Sequence, residues 1–232
     1  MIDVRPFNNL GRFQNDWLNA RYHFSFSDYY DPSRMSWGPL RVWNNDRIKA
    51  GTGFQPHPHR DMEIITYVMK GAISHEDHLG NKGRTWAGEI QIMSAGTGIV
   101  HAEFNKEPGE TELFQIWIEP SVRGAKPRWE TLAFPTDEKA GKLVTLASGK
   151  PADNAPLKIY QDAALLCGTL RKGESVDYAL GAERRAYMVA AKGSVSVNGT
   201  NLGPRDGAAI AKEAKLTIKA AEDAEVVLVD VP

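Results

Sequence analysis

Two short pairs constrain this chain most strongly. His57-Pro58-His59 and His101-Ala102-Glu103 each place metal-ligating side chains two residues apart. Residues i and i+2 share one face of a β-strand and point apart on a helix, so each pair predicts a strand that aims both its groups one way. Two such strands facing each other would converge four ligands on one ion. Three imidazoles and one carboxylate suit a first-row transition metal such as iron, manganese, cobalt, nickel or zinc. Four protein ligands on an octahedral ion leave two positions open for exchangeable molecules.

The rest of the chain also reads as strands. Residues 40–43 run into an expected turn at Asn44-Asn45-Asp46. Residues 64–69, 90–93 and 113–118 are likewise rich in β-branched and aromatic side chains and bounded by turn formers. Residues 185–191, 194–197, 216–218 and 225–229 repeat the pattern, and Asn198-Gly199 is a hairpin dipeptide. Many short strands with little helical periodicity predict an all-β sandwich or barrel. Each half has a strand ending in Lys-Gly, at Lys70-Gly71 and Lys192-Gly193, which points to an internal repeat. The expected organisation is an N-terminal domain over 1–120, a Pro-, Gly- and Lys-rich connector with one candidate strand (142–146) over 121–156, and a C-terminal domain over 157–232. All six histidines lie at or before residue 101, so only the first domain can hold a histidine-bound metal.

Bulk properties exclude some classes. A formal net charge of −1 gives no global attraction to nucleic acid or an anionic membrane. No apolar run is long enough to span a bilayer as a helix, and Met1-Ile2-Asp3-Val4-Arg5-Pro6 lacks the apolar core of a signal peptide. The single cysteine, Cys167, lies in an apolar run and is expected to be a buried small hydrophobe. A cytoplasmic protein is the expectation.

The remaining candidates rank below the two pairs. Glu63 follows His59 by four residues, so on one unbroken strand it would share the ligand face as a ligand, a hydrogen-bond acceptor for an imidazole or a catalytic base. Glu103 is favoured as the ligand because its spacing from His101 is closer. His75 and His78 lie in the polar stretch 74–80 and are expected to be solvated. His23 sits in an aromatic stretch and is expected to be a packing residue. Gly96-Thr97-Gly98 lacks the lysine and following helix of a phosphate loop and reads as a tight turn delivering His101.

These residues match a known pattern. Gly51, His57, His59, Glu63 and Gly71 resemble the first cupin motif, and Gly88, Gly98, His101 and Asn105 resemble the second, with small departures in spacing. Stretches 23–26, 29–32, 40–42, 57–64, 93–103 and 115–118 are similar to signatures of the pirin family, densely in the first half of the chain. The resemblance implies a bicupin: two jelly-roll β-domains, of which only the first keeps its metal ligands, here His57, His59, His101 and Glu103. The family's usual metal is iron(II), and related sites take nickel, manganese, cobalt or zinc.

Some bacterial members are similar to quercetin 2,3-dioxygenases, which open the flavonol central ring with O2 and release carbon monoxide. The resemblance thus implies a small flavonoid or other enolic substrate, chelated through its 3-hydroxyl and 4-carbonyl oxygens. Glu103, or Glu63 behind it, would take the hydroxyl proton. Face parity nominates Tyr67 and Met69 as pocket lining. Phe114, Ile116 and Ile118 are candidates of open facing, with plain core as the alternative. Two rival readings are a metal-dependent, redox-sensing regulator with a protein partner, as in eukaryotic relatives, and a cupin enzyme for a different enolic substrate. No Lys/Arg-rich localisation run accompanies the first.

Overall fold

β-Branched and aromatic runs form strands along the whole chain in the computed structural model, which describes residues 1–133 and 140–232. After β1 (Ile2–Arg5) come β2 (Gly11–Gln14), β3 (Leu18–Tyr22), β4 (Leu40–Ile48), β5 (Gly53–His59), β6 (Glu63–Lys70), β7 (Ala72–Asp77), β8 (Lys82–Trp86), β9 (Ile90–Ser94), β10 (Ile99–Phe104) and β11 (Thr111–Ile118). The second half supplies β12 (Arg128–Leu132), β13 (Val144–Ser148), β14 (Leu157–Lys158), β15 (Ala164–Leu170), β16 (Ser175–Ala179), β17 (Arg185–Lys192), β18 (Val195–Val197), β19 (Thr200–Leu202), β20 (Gly207–Ala211), β21 (Lys215–Ala220) and β22 (Ala224–Val231).

The strands make two barrels on one plan. In the first, a seven-stranded sheet ordered β12-β9-β6-β11-β4-β3-β2 packs against a four-stranded sheet ordered β5-β10-β7-β8. In the second, β1-β20-β17-β22-β15-β13-β14 packs against β16-β21-β18-β19. Position for position, β6 corresponds to β17 and β10 to β21. The Lys-Gly ends of β6 and β17 therefore occupy equivalent places, as the internal repeat predicts. The hairpin expected at Asn198-Gly199 joins β18 to β19, with both residues at positive φ (45° and 82°).

The two large sheets stack face to face. Trp43, Tyr67, Ile90, Ile92, Phe114 and Ile116 of the first meet Leu165, Cys167, Tyr187, Val189, Val227 and Val229 of the second in one continuous apolar core. Alternation does the rest: Leu166, Met188, Ile210 and Leu228 turn the other way, into the second barrel, with Leu216 and Ile218 of β21. Burying one face of each large sheet against the other and the opposite face inside its own barrel makes both all-apolar strands and alternating strands stable in one chain.

Three expectations change. The turn expected at Asn44-Asn45-Asp46 is the middle of β4, and all three side chains are buried. Turn-forming composition yields here to tertiary pairing, since β4 is hydrogen-bonded on both sides by β3 and β11. The expected 1–120 unit is not self-contained, because β1 pairs with β20 of the second barrel. The expected connector 121–156 divides between the barrels. Its β12 closes the edge of the first beside β9, and β13, overlapping the strand expected at 142–146, joins the second beside β15. Each large sheet thus takes its edge strand from a flanking segment, a long-range pairing that composition does not reveal.

Candidate metal centre

β5 and β10 are antiparallel neighbours in the small sheet of the first barrel, not strands facing each other across it. His57 lies directly opposite His101, and His59 opposite Ile99. The register then shifts between His101 and Glu103, with one extra residue on the β5 side, while β10 stays in regular register with β7. Gly53 lies next to this shift, and a Cβ there would strike the Glu103 carbonyl. The ligand nitrogens of His57, His59 and His101 all lie within 4.8 Å of one another. A carboxylate oxygen of Glu103 lies within the same distance of His101 and of a further histidine, His75.

His75 is the largest correction. Expected in a solvated loop, it lies on β7, buried, because the strand runs through to Asp77 and its odd-numbered residues face inward. Its Nε2–H donates to Asp77 Oδ2 at 3.0 Å, which leaves Nδ1 as an acceptor. His101 Nδ1 stands 3.4 Å from that nitrogen and donates to it. Asp77 is itself held by the backbone N–H groups of Leu79 and Asn81 and by the Asn81 amide. Burial opposes the charge on Asp77, but hydrogen bonds from His75 and Asn81 prevail and hold its carboxyl below the usual range. The chain Asp77–His75–His101 thereby fixes one tautomer of His101, with its Nε2 lone pair free. That atom is buried and has no hydrogen-bond partner among the described residues. His57 is oriented in the same way, its Nδ1–H donating to the Gln55 carbonyl at 2.7 Å.

His59 and His101 are neutral at physiological pH. Burial, then the neighbouring His101 and His57, lowers His59 to about 4. Burial, His57 and His75 lower His101 to about 3. Neutral nitrogens crowded on one point with a buried, unpartnered lone pair fit a divalent transition metal.

Glu103 is wired from behind. Oε2 accepts from the Gln115 amide at 2.7 Å, and Oε1 accepts from the Gln91 amide and from Thr66 Oγ1. Gln91 has no freedom to flip. Its Oε1 accepts from Thr85 Oγ1 at 3.0 Å and from the Trp129 indole N–H at 3.3 Å, so its NH2 must face Glu103. The same Trp129 stacks on the His75 ring, centroids 4.7 Å apart and planes 10° apart. One side chain from the expected connector therefore braces the partners of two candidate ligands.

Glu63 does not join them. The chain turns at residues 60–62, with Asp61 at φ 45°, so Glu63 opens β6 in the large sheet and the parity counted from His59 is lost. Its carboxylate accepts from Ser94 Oγ at 2.7 Å, and burial raises its pKa against the pull of Ser94, the Tyr160 N–H and Arg128. The same break misplaces Tyr67 and Met69. Tyr67 faces the core between the barrels and donates to Glu225 at 2.6 Å, and Met69 packs at that core. Phe114, Ile116 and Ile118 also lie there, as plain core. The alternate residues, Thr66 and Gln115, turn inward instead. His78 is exposed and accepts from the Val100 N–H, and His23 is buried against Tyr187 with Nδ1 2.8 Å from its hydroxyl.

The candidate ligands form one wall of a cavity of about 730 Å³. Trp17, Phe26, Phe54 and Trp117 supply aromatic walls, with Trp17 edge-on to Phe54 at 5.1 Å and Trp117 edge-on to His59 at 5.0 Å. Its volume falls in the range that holds small organic ligands, and its aromatic walls suit a flat one.

Residues 3–118 match the family described as Pirin, and residues 145–231 match the quercetinase C-terminal cupin domain. A pirin-like protein of Caulobacter vibrioides is 58% identical over 230 residues, covering 99% of both chains. A protein of Escherichia coli K12 named quercetin 2,3-dioxygenase is 45% identical, covering 100% of this chain and 99% of its own. The crystal structure of the Escherichia coli pirin YhhW in complex with nickel(II) superposes with a TM-score of 0.92 at 42% identity, covering 100% of this chain and 99% of that one.

Proposed function

The chain belongs to the pirin family, and we propose that it opens the central ring of a flavonol such as quercetin with O2 and releases carbon monoxide. It is an oxidoreductase of the quercetin 2,3-dioxygenase type; the flavonol is the reading supported best by the cavity. The observation that carries the proposal is the convergence of three imidazoles, one with a buried free lone pair, on the wall of a cavity lined by aromatic rings.

In this reading His57, His59, His101 and Glu103 hold one divalent ion, iron(II) by the family's habit. A bound divalent ion supplies Lewis acidity that lowers the pKa of a chelated hydroxyl. The chain does the rest. Asp77 and His75 keep His101 in the binding tautomer. Glu103, aimed by Gln91, Gln115 and Thr66, accepts the 3-hydroxyl proton and holds it within the site. Trp17, Phe26, Phe54 and Trp117 bury the flat ring system and exclude water from the electron-rich flavonolate. Glu63, which is outside this cavity's lining, takes no part.

The test is aerobic turnover of quercetin by iron-reconstituted protein, followed as loss of flavonol absorbance with carbon monoxide release, beside a His101→Ala control. Turnover that vanishes in the control supports the proposal. No turnover from fully metal-loaded protein sinks it and moves the site to another enolic substrate or to a regulatory role.

A further inference from the structure

Asn44 and Asp46 lie on β4, two residues apart, and both line the same cavity as the candidate ligands. Both are buried, at 3% and 2% exposure, and each keeps one side-chain oxygen without a hydrogen-bond partner among the described residues. A buried carboxyl is normally surrounded by donors. Asp230, equally buried in the second barrel, shows the usual arrangement: it takes Arg184 Nε at 2.6 Å, the Tyr178 hydroxyl at 2.6 Å and Lys150. Asp46 has no such company. Burial, with Glu103 nearby, pushes its pKa up to about 8. Its isolation is not for want of donors in the barrel, because Glu103 close by collects two amides and a hydroxyl. None of the neighbouring wall residues, Tyr22, Trp17 and Phe54, donates to either oxygen, so an incoming ligand is a source of the missing partners.

We propose that Asn44 and Asp46 form a hydroxyl-recognition subsite, which reads a phenolic hydroxyl of a planar ligand other than its metal-chelating pair. The inference rests on the flavonol reading and deepens it. It assigns the substrate class as a flat phenol with at least one hydroxyl beyond the chelating pair. A site built to hydrogen-bond a substrate hydroxyl discriminates against an analogue lacking it, because its own buried groups are then left unpaired.

The experiment is anaerobic titration of the metal-loaded protein, read by quenching of tryptophan fluorescence, with two probes. One is 3-hydroxyflavone, which has the chelating pair and no other hydroxyl. The other is quercetin, which adds hydroxyls on both outer rings. The wild-type protein is expected to bind quercetin about 10- to 100-fold more tightly, the value of one hydrogen bond to a charged or strongly polar buried group. In Asp46→Leu that gap is expected to close to about threefold or less, through loss of quercetin affinity alone. The affinity for 3-hydroxyflavone serves as the control for folding and metal loading, and Asp46→Asn, which keeps an acceptor, is expected to restore most of the gap. Equal wild-type affinities, or a gap that survives in Asp46→Leu, would overturn the subsite while leaving the flavonol reading intact. Failure of both probes to bind wild-type protein would overturn the flavonol reading and the subsite with it.

Discussion

On β10 the inward side chains are His101 and Glu103; on β21, the strand in the same place of the second barrel, they are Leu216 and Ile218. The contrast extends through both interiors. Where the first barrel has Thr66, Gln91, Gln115, Asn44 and Asp46, the second has Met188, Ile210, Leu228 and Leu166. Strand order is the same, so backbone pairing does not require a polar interior. The polar interior costs desolvation, and the first barrel offsets that by giving each group a partner, as in Asp77–His75–His101 and in the amides around Glu103. The exceptions facing the cavity are His101 Nε2, Asn44 Oδ1 and Asp46 Oδ1. On the strands of the second barrel the one such atom among the described residues is Arg5 Nε of β1, which lies beside His23 and Tyr187 at the junction of the barrels. Within the cavity the unpaired atoms stand beside the candidate ligands, and the interior of the second barrel is an apolar scaffold.

The largest expected effect that sharpens the contrast is on metal affinity. His75→Ala and Asp77→Asn should each weaken metal binding by about 10- to 100-fold, the usual cost of removing an imidazole's orienting partner. Chelator competition measures it, and the ligand-field spectrum of the cobalt-loaded protein should shift. Leu216→Ala, at an equivalent depth in the second barrel, should cost about 2–5 kcal/mol of stability on denaturant unfolding and leave the spectrum unchanged. If Leu216→Ala alters the spectrum as much as His75→Ala does, the barrels are not divided in this way.

Acid should separate the barrels next. The buried His23, held near 3 by burial and by Arg5 and Arg34, and His59 and His101, held near 4 and 3, have folded pKa values below the unfolded value. Between the folded and unfolded pKa values the unfolded chain binds more protons. The histidines' contribution to metal-free stability is therefore fully present above about pH 6.5 and falls as pH drops toward 4, by about 2 kcal/mol for His23 alone at pH 5. Hydrogen exchange should show the first barrel losing protection and the second, which has no histidine, holding it until the first unfolds. Asp46 works with the opposite sign. Its folded pKa is raised, so it opposes folding as pH rises from about 4 through 8. Asp46→Leu should accordingly be more stable than wild type at pH 7, by up to about 4 kcal/mol, and nearly equal to it at pH 4.

The smallest expected effect concerns Trp129. Trp129→Phe keeps a ring over His75 but loses the N–H that holds Gln91, and should weaken metal binding by a few-fold. Trp129→Ala should add the loss of stacking and approach the effect of His75→Ala. Equal affinities for all three proteins would show that the brace is packing alone.

The His57–His59 and His101–Glu103 pairs were legible in the sequence because two-residue spacing on a strand is a local rule, and the strands flanking them carry strong β composition. What was lost depended on events the local rule does not see. A three-residue turn after His59 reset the parity and sent Tyr67 toward the other barrel and Glu63 toward Ser94. Polar runs at Asn44–Asp46 and around His75 look like a turn and a loop. They are strands because groups that satisfy or need them, such as His101, Trp129 and the cavity, arrive from elsewhere in the chain. The seating of β1 beside β20 is a pairing across some two hundred positions and has no local signature.

The most direct test is a metal titration of the apo protein followed by isothermal calorimetry, beside His101→Ala. The account predicts one tight divalent site per chain, lost in the variant while the thermal unfolding of the second barrel is unchanged. Two equivalents per chain, or tight binding that survives His101→Ala, would contradict it.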